Sequence, residues 1–348
     1  MKIKINNKLE IDNQKRPLII AEISGNHNGN KSLFLKHILS AHKNGADLVK
    51  IQTYEASDIT LNIKTNNFRI KKGIWKNKYF WDLYIKSCTP YEWHEDAFKL
   101  AKKFKINLFS TPFSPKAVDF LEKFNVPLYK LSSFEITDFK LIRSIAKTKK
   151  PIIISTGMAT LKEIKNCVNL IKKYHNKIII LHCVSGYPTP LREANLNRIN
   201  QIKKKLKTSM VGLSDHTVGI KTALSSVFYD VVIIEKHFII NKKLNSNDKK
   251  FSIDEKELRE LKKYISENYL LKGNNNFEIK KSEKNMIKLR RSIFSTKEIA
   301  KNEKFSKFNI TTLRPKIGIC SSKYFKILGK KSKVKINKFS PIFEDQVN

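Results

Sequence analysis

The chain has 348 residues, 41% of them hydrophobic and 21 of them Phe, with 69 Lys and Arg against 31 Asp and Glu for a formal net charge of +38. This length suits one large domain plus a small one and can bury roughly 75% of the unfolded surface, and the composition excludes a disordered or membrane-spanning chain. The lysines are spread over nearly every predicted helix and loop alongside heavy use of Asn and Ile, so the charge reads as a compositional bias with solvated side chains; no nucleic-acid-binding motif accompanies it.

The first twenty residues, MKIKINNKLEIDNQKRPLII, carry scattered charge and lack the apolar stretch and small-residue cleavage site of a secretory signal. Cys88, Cys167, Cys183 and Cys320 are far apart and show no C-x-x-C spacing. They read as buried or semi-buried thiols in a reducing compartment, and a cytoplasmic location follows.

Apolar, β-rich runs then alternate with amphipathic segments of helical period. In chain order the runs are PLIIAEI, LVKIQTY, NLFSTPF, LYKLSSF, PIIISTG, KIIILHCVS, MVGLSDHT and VVIIEKHF. Between them lie SLFLKHILSAHKNG, EWHEDAFKLAKKFK, AVDFLEKFN, FKLIRSIAKTK, TLKEIKNCVNLIKKY and IKTALSSVFY, several ending in basic residues as a helix C-terminus prefers. Eight apolar strands joined by crossover helices imply a parallel sheet buried on both faces, and the expected fold class is an α/β (β/α)8 TIM barrel over residues 1–272.

One connection is long. Residues 55–91 hold Trp75, Trp81, Asp82 and Tyr84 between the second run and its helix; it reads equally well as a substrate cover and as a surface excursion packed by its own aromatics. The segment Asn26, His27, Asn28, Gly29 reads as a tight turn. After the barrel, residues 273–289 are polar and Asn-rich, a linker, and residues 290–348 suggest a small unit of short strands near the lower size limit for independent folding.

Polar residues gather toward the C-terminal ends of the strands: Glu22, Lys50 with Gln52, Thr111, Lys130 with Ser133 and Glu135, Ser155, Ser185, Ser214 with His216, and His237. In a barrel that edge is the catalytic rim. His216 and His237 end consecutive runs, so both imidazoles reach one sheet edge and can share a divalent cation with open coordination positions, an arrangement suited to polarising a carbonyl. Lys50 and Lys130, with the hydroxyls of Thr111, Ser133, Ser155, Ser185 and Ser214, form a cationic, donor-rich mouth for a phosphorylated or carboxylated anion. Glu22 and Glu135 can serve as general base or water-positioning groups, or as partners of the same lysines. A lysine Schiff base is the competing reading of the mouth.

The ordered motifs AEISGNHNG, VKIQTY, FSTPF, YKLSSFEI, ISTGMATLKEI, HCVSGYPTP, VGLSDHTVGI and IIEKHF closely resemble the sialic acid synthase family over nearly the whole chain. The resemblance implies condensation of phosphoenolpyruvate with an N-acylated amino sugar in its aldehyde form, giving a nine-carbon 2-keto acid and phosphate, with N-acetylneuraminate or legionaminate synthesis as alternatives to pseudaminic acid synthesis. It implies metal ligands at His216 and His237 for Mn2+ or Mg2+, phosphoenolpyruvate contacts at Lys50, Thr111, Lys130, Ser133, Ser155, Ser185 and Ser214, and acid-base roles at Glu22 and Glu135. Gln52, Tyr187 and Asp248 match positions near the sugar.

The tail resembles that family's C-terminal antifreeze-like (SAF) domain, and Arg314 matches the arginine that reaches the partner's barrel and holds an N-acyl group. A domain-swapped homodimer is thereby implied. WDLYIKSCTPYEWH, SFEI and Ser185 resemble the pseudaminic acid branch, whose acceptor is a 2,4-diacetamido-2,4,6-trideoxy sugar. Lys316 stands where a glycine usually follows RP in the family.

Overall fold

A short antiparallel hairpin, β1 (Lys2–Lys4) and β2 (Glu10–Asp12), precedes eight parallel strands: β3 (Leu18–Glu22), β4 (Leu48–Thr53), β5 (Leu108–Pro112), β6 (Tyr129–Leu131), β7 (Ile152–Ser155), β8 (Ile178–Cys183), β9 (Val211–Asp215) and β10 (Ile233–His237). They pair in sequence order, and β10 closes the barrel on β3 with His237 opposite Glu22. This computed structural model describes residues 1–274 and 276–348.

Each strand presents alternate residues to the barrel interior, and the interior is layered. Its lower layer is apolar: Ile20, Leu48, Phe109, Leu128, Ile153, Ile179, Leu181, Met210 and Ile233 form one buried cluster with Ile3, Ile5 and Ile11 of the hairpin, which plugs the N-terminal end. Truncating a plug residue such as Ile11 to Ala costs about 2–5 kcal/mol by the usual core arithmetic. Two residues further along six of the strands the inward side chain is polar: Glu22, Lys50, Thr111, Lys130, Ser155 and Glu235 follow Ile20, Leu48, Phe109, Leu128, Ile153 and Ile233. The outward strand residues pack against the helices in a second, larger cluster.

Local chemistry sets the helices. Asn30 caps α1 (Lys31–Lys43), Ser114 followed by Pro115 opens α5 (Pro115–Glu122), and Asp138 caps α6 (Phe139–Lys147). Capping boxes begin α7 (Leu161–Lys172) with Thr160 and Glu163, and α10 (Glu255–Lys272) with Asp254 and Glu257. The other helices are α2 (Ala56–Ile59), α3 (Phe80–Ser87), α4 (Tyr91–Phe104), α8 (Asn197–Leu206), α9 (Lys221–Ser226) and α11 (Tyr324–Ile327). α8 was not among the predicted segments; only Ile199 and Ile202 of it are buried, too thin an apolar stripe for the period to stand out. Among the described residues no helix is long and apolar enough to cross a membrane.

The chain divides into two compact units, Met1–Gly273 and Asn274–Asn348. Part of the span read as a linker is ordered: Lys281–Leu289 is a run of 3-10 turns opened by a 2.8 Å hydrogen bond from the Lys280 amide to Glu283. The second unit pairs β11 (Ser292–Ser295) with β12 (Ile310–Leu313) around a core of Ile293, Ile299, Phe305, Ile310, Ile319 and Ile342.

Candidate active site

The polar upper layer of the barrel is a network rather than a set of separate groups. Glu235 is its centre: Oε1 accepts from Lys130 Nζ at 2.6 Å and from Ser214 Oγ at 3.0 Å, and Oε2 lies 3.8 Å from Lys50 Nζ. Lys50 also pairs with Glu22 and donates to Thr111 Oγ1 at 3.0 Å, while Gln52 donates to Glu22 Oε1 at 3.0 Å. All four charged groups are buried. Burial alone would raise the Glu235 carboxyl, but Lys130 and Lys50 outweigh it and hold the group at about 2. At Glu22 burial wins over Lys50 and the pKa is raised. Burial lowers Lys130 against the pull of Glu235, whereas Lys50, opposed by burial but flanked by Glu22 and Glu235, is raised.

Above this floor His216 and His237 face each other with ring centroids 5.4 Å apart. Packing fixes both rings, Tyr187 against His216 at 4.4 Å and Phe251 against His237 at 4.8 Å. His216 Nδ1 is 3.0 Å from the Val184 carbonyl, which leaves Nε2 free as a lone-pair donor; His237 Nδ1 is buried with no hydrogen-bond partner and lies 3.8 Å from Asp248. Two such nitrogens, unspent on the protein, fit a divalent cation. Among the described residues no group of three or more His, Cys, Asp or Glu side chains is placed to hold a metal ion.

Behind the histidines, on the outer face of the sheet, lies a fully buried ion pair. Lys236 Nζ is 2.8 Å from Asp215 Oδ2 and also contacts the Thr217 carbonyl, and Asp215 Oδ1 accepts the Thr217 amide at 2.8 Å. The two residues immediately precede His237 and His216, so the pair locks the spacing of the two strand ends.

A cavity of about 510 Å³ opens over these groups, within the range of small-molecule sites. Glu22, Lys50, Gln52, Thr111, Lys130, Ser133, Glu135, Ser155, Tyr187, Ser214, His216, His237 and Asp248 all line it. Glu135 sits at its edge with Oε2 buried and unpartnered, its pKa raised by burial. Asp248 accepts from Ser24 Oγ at 2.5 Å, and its pKa is likewise raised by burial. Ser155 Oγ is buried without a partner, which marks it as waiting for a ligand atom.

Two predicted residues stand elsewhere. Ser185 is half-buried and outside the cavity wall; its hydroxyl lies over Gly157, where any added Cβ would collide with Ser185 and Ser133, and Cys183 takes the wall position on that strand. Arg314 is exposed in the second unit, where it borders a hollow with Arg290, Arg291 and Cys320.

The long connection lines the cavity through Ile59, Ile70, Trp75, Phe80, Leu83 and Tyr84, and its Phe80 and Tyr84 rings also stack on each other. The Asn26–Gly29 turn is more than a turn: Asn26 is fully buried and donates to the Phe238 carbonyl at 2.8 Å and to Ser252 at 3.0 Å. Cys320 is exposed, not semi-buried as expected, because it lies on the surface of the small unit. Glu235 and the Asp215–Lys236 pair escaped the sequence reading, although position 235, two before His237, had to face inward.

The pseudaminic acid synthase of Campylobacter jejuni is 39% identical over 91% of this chain and 93% of its own, and the N,N'-diacetyllegionaminic acid synthase of the same species is 37% identical over 91% of this chain and 96% of its own. A crystal structure of the N-acetylneuraminic acid (sialic acid) synthetase from Leptospira borgpetersenii in complex with citrate superposes with a TM-score of 0.73 at 28% identity, covering 82% of this chain and 95% of that one. The profile of the NeuB family matches residues 37–276, and the chain belongs to that family.

Proposed function

We propose that this protein is a pseudaminic acid synthase, condensing phosphoenolpyruvate with a 2,4-diacetamido-2,4,6-trideoxy sugar and water to give a nine-carbon 2-keto acid and phosphate. The observation that carries the reading is the layered site: a floor with two buried lysines beneath two histidines whose free nitrogens face the same cavity. The sequence likeness to pseudaminic acid synthases selects the acceptor.

His216 and His237 would hold the divalent cation, Mn2+ or Mg2+, and when bound it supplies Lewis-acid polarisation of the sugar's aldehyde oxygen. Lys50 and Lys130 bind the phosphate and carboxylate of the enol phosphate, with Thr111, Ser133, Ser155 and Ser214 donating hydrogen bonds; the orphaned Ser155 hydroxyl gains its partner in this way. Glu235 stays ionised between the lysines and keeps both ammonium groups aimed at the anion. The methylene carbon of phosphoenolpyruvate then attacks the aldehyde carbon, whose oxygen takes up a proton from solvent, and positive charge develops at the enol carbon. Water adds there and loses one proton to Glu135, which returns it to solvent; as the carbon–oxygen bond to phosphate breaks, the remaining hydroxyl proton passes to the departing phosphate and leaves the 2-keto group. Glu22 holds Lys50, while Gln52, Tyr187 and Asp248 orient the sugar.

The second unit is read as an antifreeze-like (SAF) domain acting in trans within a homodimer, with Arg314 delivered to the partner's site.

 Its support is the exposure of Arg314, Phe277 and Phe325 in that unit. Ser185 is assigned to the phosphoenolpyruvate side, where a small shift over Gly157 would bring its hydroxyl to the anion. A cytoplasmic location belongs to the same proposal, since phosphoenolpyruvate is made there.

The test is a substrate panel with manganese and phosphoenolpyruvate. The diacetamido-trideoxy sugar should give the highest rate of phosphate release. A higher rate with N-acetylmannosamine or the legionaminic precursor would reassign the acceptor, and no release with any N-acylated aldose would defeat the reading.

A further inference from the structure

The cavity has two unlike walls. Its floor is charged and hydrogen-bonded, whereas the wall supplied by the β4–α4 connection is apolar: Ile59, Ile70, Phe80 and Leu83 face inward beside Trp75. Tyr84 and Ser87 of the same connection also reach the cavity, and one further polar atom on this side has no partner. The indole Nε1 of Trp75 is buried and has no hydrogen-bond partner, and a buried N–H is rarely left so unless a ligand supplies the acceptor.

The position of Trp75 is held. The backbone folds back between Arg69 and Tyr79, with the Ile70 amide 2.9 Å from the Lys78 carbonyl and the Asn77 amide 2.8 Å from the Ile70 carbonyl. Lys78 Nζ is 2.9 Å from Asn247 Oδ1, and Asn247 donates to Ser87 Oγ at 3.2 Å, which ties the hairpin to the loop carrying Asp248. The Trp75 ring packs on Tyr187 at 5.5 Å, and Tyr187 packs on His216. Trp75 therefore stands two rings from the histidine pair, about the reach of an open-chain six-carbon sugar whose aldehyde lies at His216 and His237.

We infer that Trp75 is a specificity-determining residue: its indole N–H donates to an N-acyl carbonyl at the far end of the acceptor sugar, and the apolar wall around it receives that sugar's methyl groups. The inference rests on the condensation proposed above. A hydroxyl in place of the acylamino group can accept a hydrogen bond, but its oxygen stands about two bonds nearer the carbon chain than the acyl carbonyl and falls short of the indole N–H, and a hydroxyl against the apolar side chains gives up its water without a full replacement. The wall thus discriminates for a deoxygenated, doubly N-acylated acceptor and against N-acetylmannosamine.

The experiment compares kcat/KM for the diacetamido-trideoxy sugar and for N-acetylmannosamine in the native enzyme and in Trp75→Phe, which keeps a ring and removes the donor. The ratio between the two sugars should narrow by roughly 5- to 50-fold in Trp75→Phe, with the loss in the sugar's KM or kcat and the KM for phosphoenolpyruvate changing by less than about threefold, as expected of a group on the opposite wall. Indole fluorescence gives a second reading: the diacetamido sugar should shift the emission of the native protein, and that shift should be lost in Trp75→Phe. An unchanged ratio in a folded variant, or an equal loss for both sugars, would overturn the role of Trp75 while leaving the condensation intact. Absence of turnover with every sugar in the native enzyme would instead overturn the condensation and this inference with it.

Discussion

Glu235 Oε1 lies 2.6 Å from Lys130 Nζ inside the barrel, with both side chains nearly inaccessible to solvent. The pair is the hinge of the polar floor, because the same carboxylate also reaches Ser214 and Lys50. Removing one member of a buried pair strands the other charge, which costs about 3–5 kcal/mol. Glu235→Ala should accordingly lose about that much stability in denaturant titrations. A variant as stable as the native protein would show that the floor tolerates an uncompensated lysine and that Glu235 is not its organiser.

Replacing His237 by Ala removes one of the two free nitrogens at the cavity mouth. Manganese binding, followed by calorimetry, should weaken by at least about tenfold, and turnover should fall by at least about a thousandfold. Retention of both in His237→Ala would contradict the assignment of the pair.

Asp215 touches neither the cavity nor the proposed cation; its partner is Lys236, behind the sheet. Asp215→Asn should lower manganese affinity about 10- to 100-fold through loosened strand ends, while the KM for phosphoenolpyruvate changes little. Equal damage to both quantities would point to general misfolding rather than positioning of the histidines.

Burial raises the Glu135 carboxyl above the ordinary value of about 4.3. A base must be deprotonated to accept a proton, so kcat/KM should fall as pH drops through that raised value and level off above it. Glu135→Gln should lose about 10²- to 10⁴-fold in kcat and the acid limb with it. Should the variant stay slow yet keep the limb, Glu22, also raised by burial, would be the titrating group.

The barrel was legible because its strands are short apolar runs at regular spacing, and the position of Glu22, Lys50, Thr111, Lys130, His216 and His237 at the C-terminal ends of those runs put them at one rim. Glu235 was hidden by its neighbour: in IIEKHF the eye falls on the histidine, and only strict alternation separates the inward Glu235 from the outward Lys236. The Asp215–Lys236 pair joins two strands face to face, a relation that depends on register and is absent from either segment alone. Asn26 illustrates the same limit, since its partners Phe238 and Ser252 lie more than two hundred positions away along the chain. Trp75 was conspicuous as a residue and silent as to role, because a long connection carries no period from which a facing direction can be read.

The reaction proposed for this site forms a carbon–carbon bond between phosphoenolpyruvate and an N-acylated aldose. Its most direct test is to incubate the purified protein with manganese, phosphoenolpyruvate and the diacetamido-trideoxy sugar, then measure inorganic phosphate and the mass of the organic product together. One phosphate should be released for each nine-carbon 2-keto acid formed. Phosphate release without that acid, or neither product at any enzyme concentration, would contradict it.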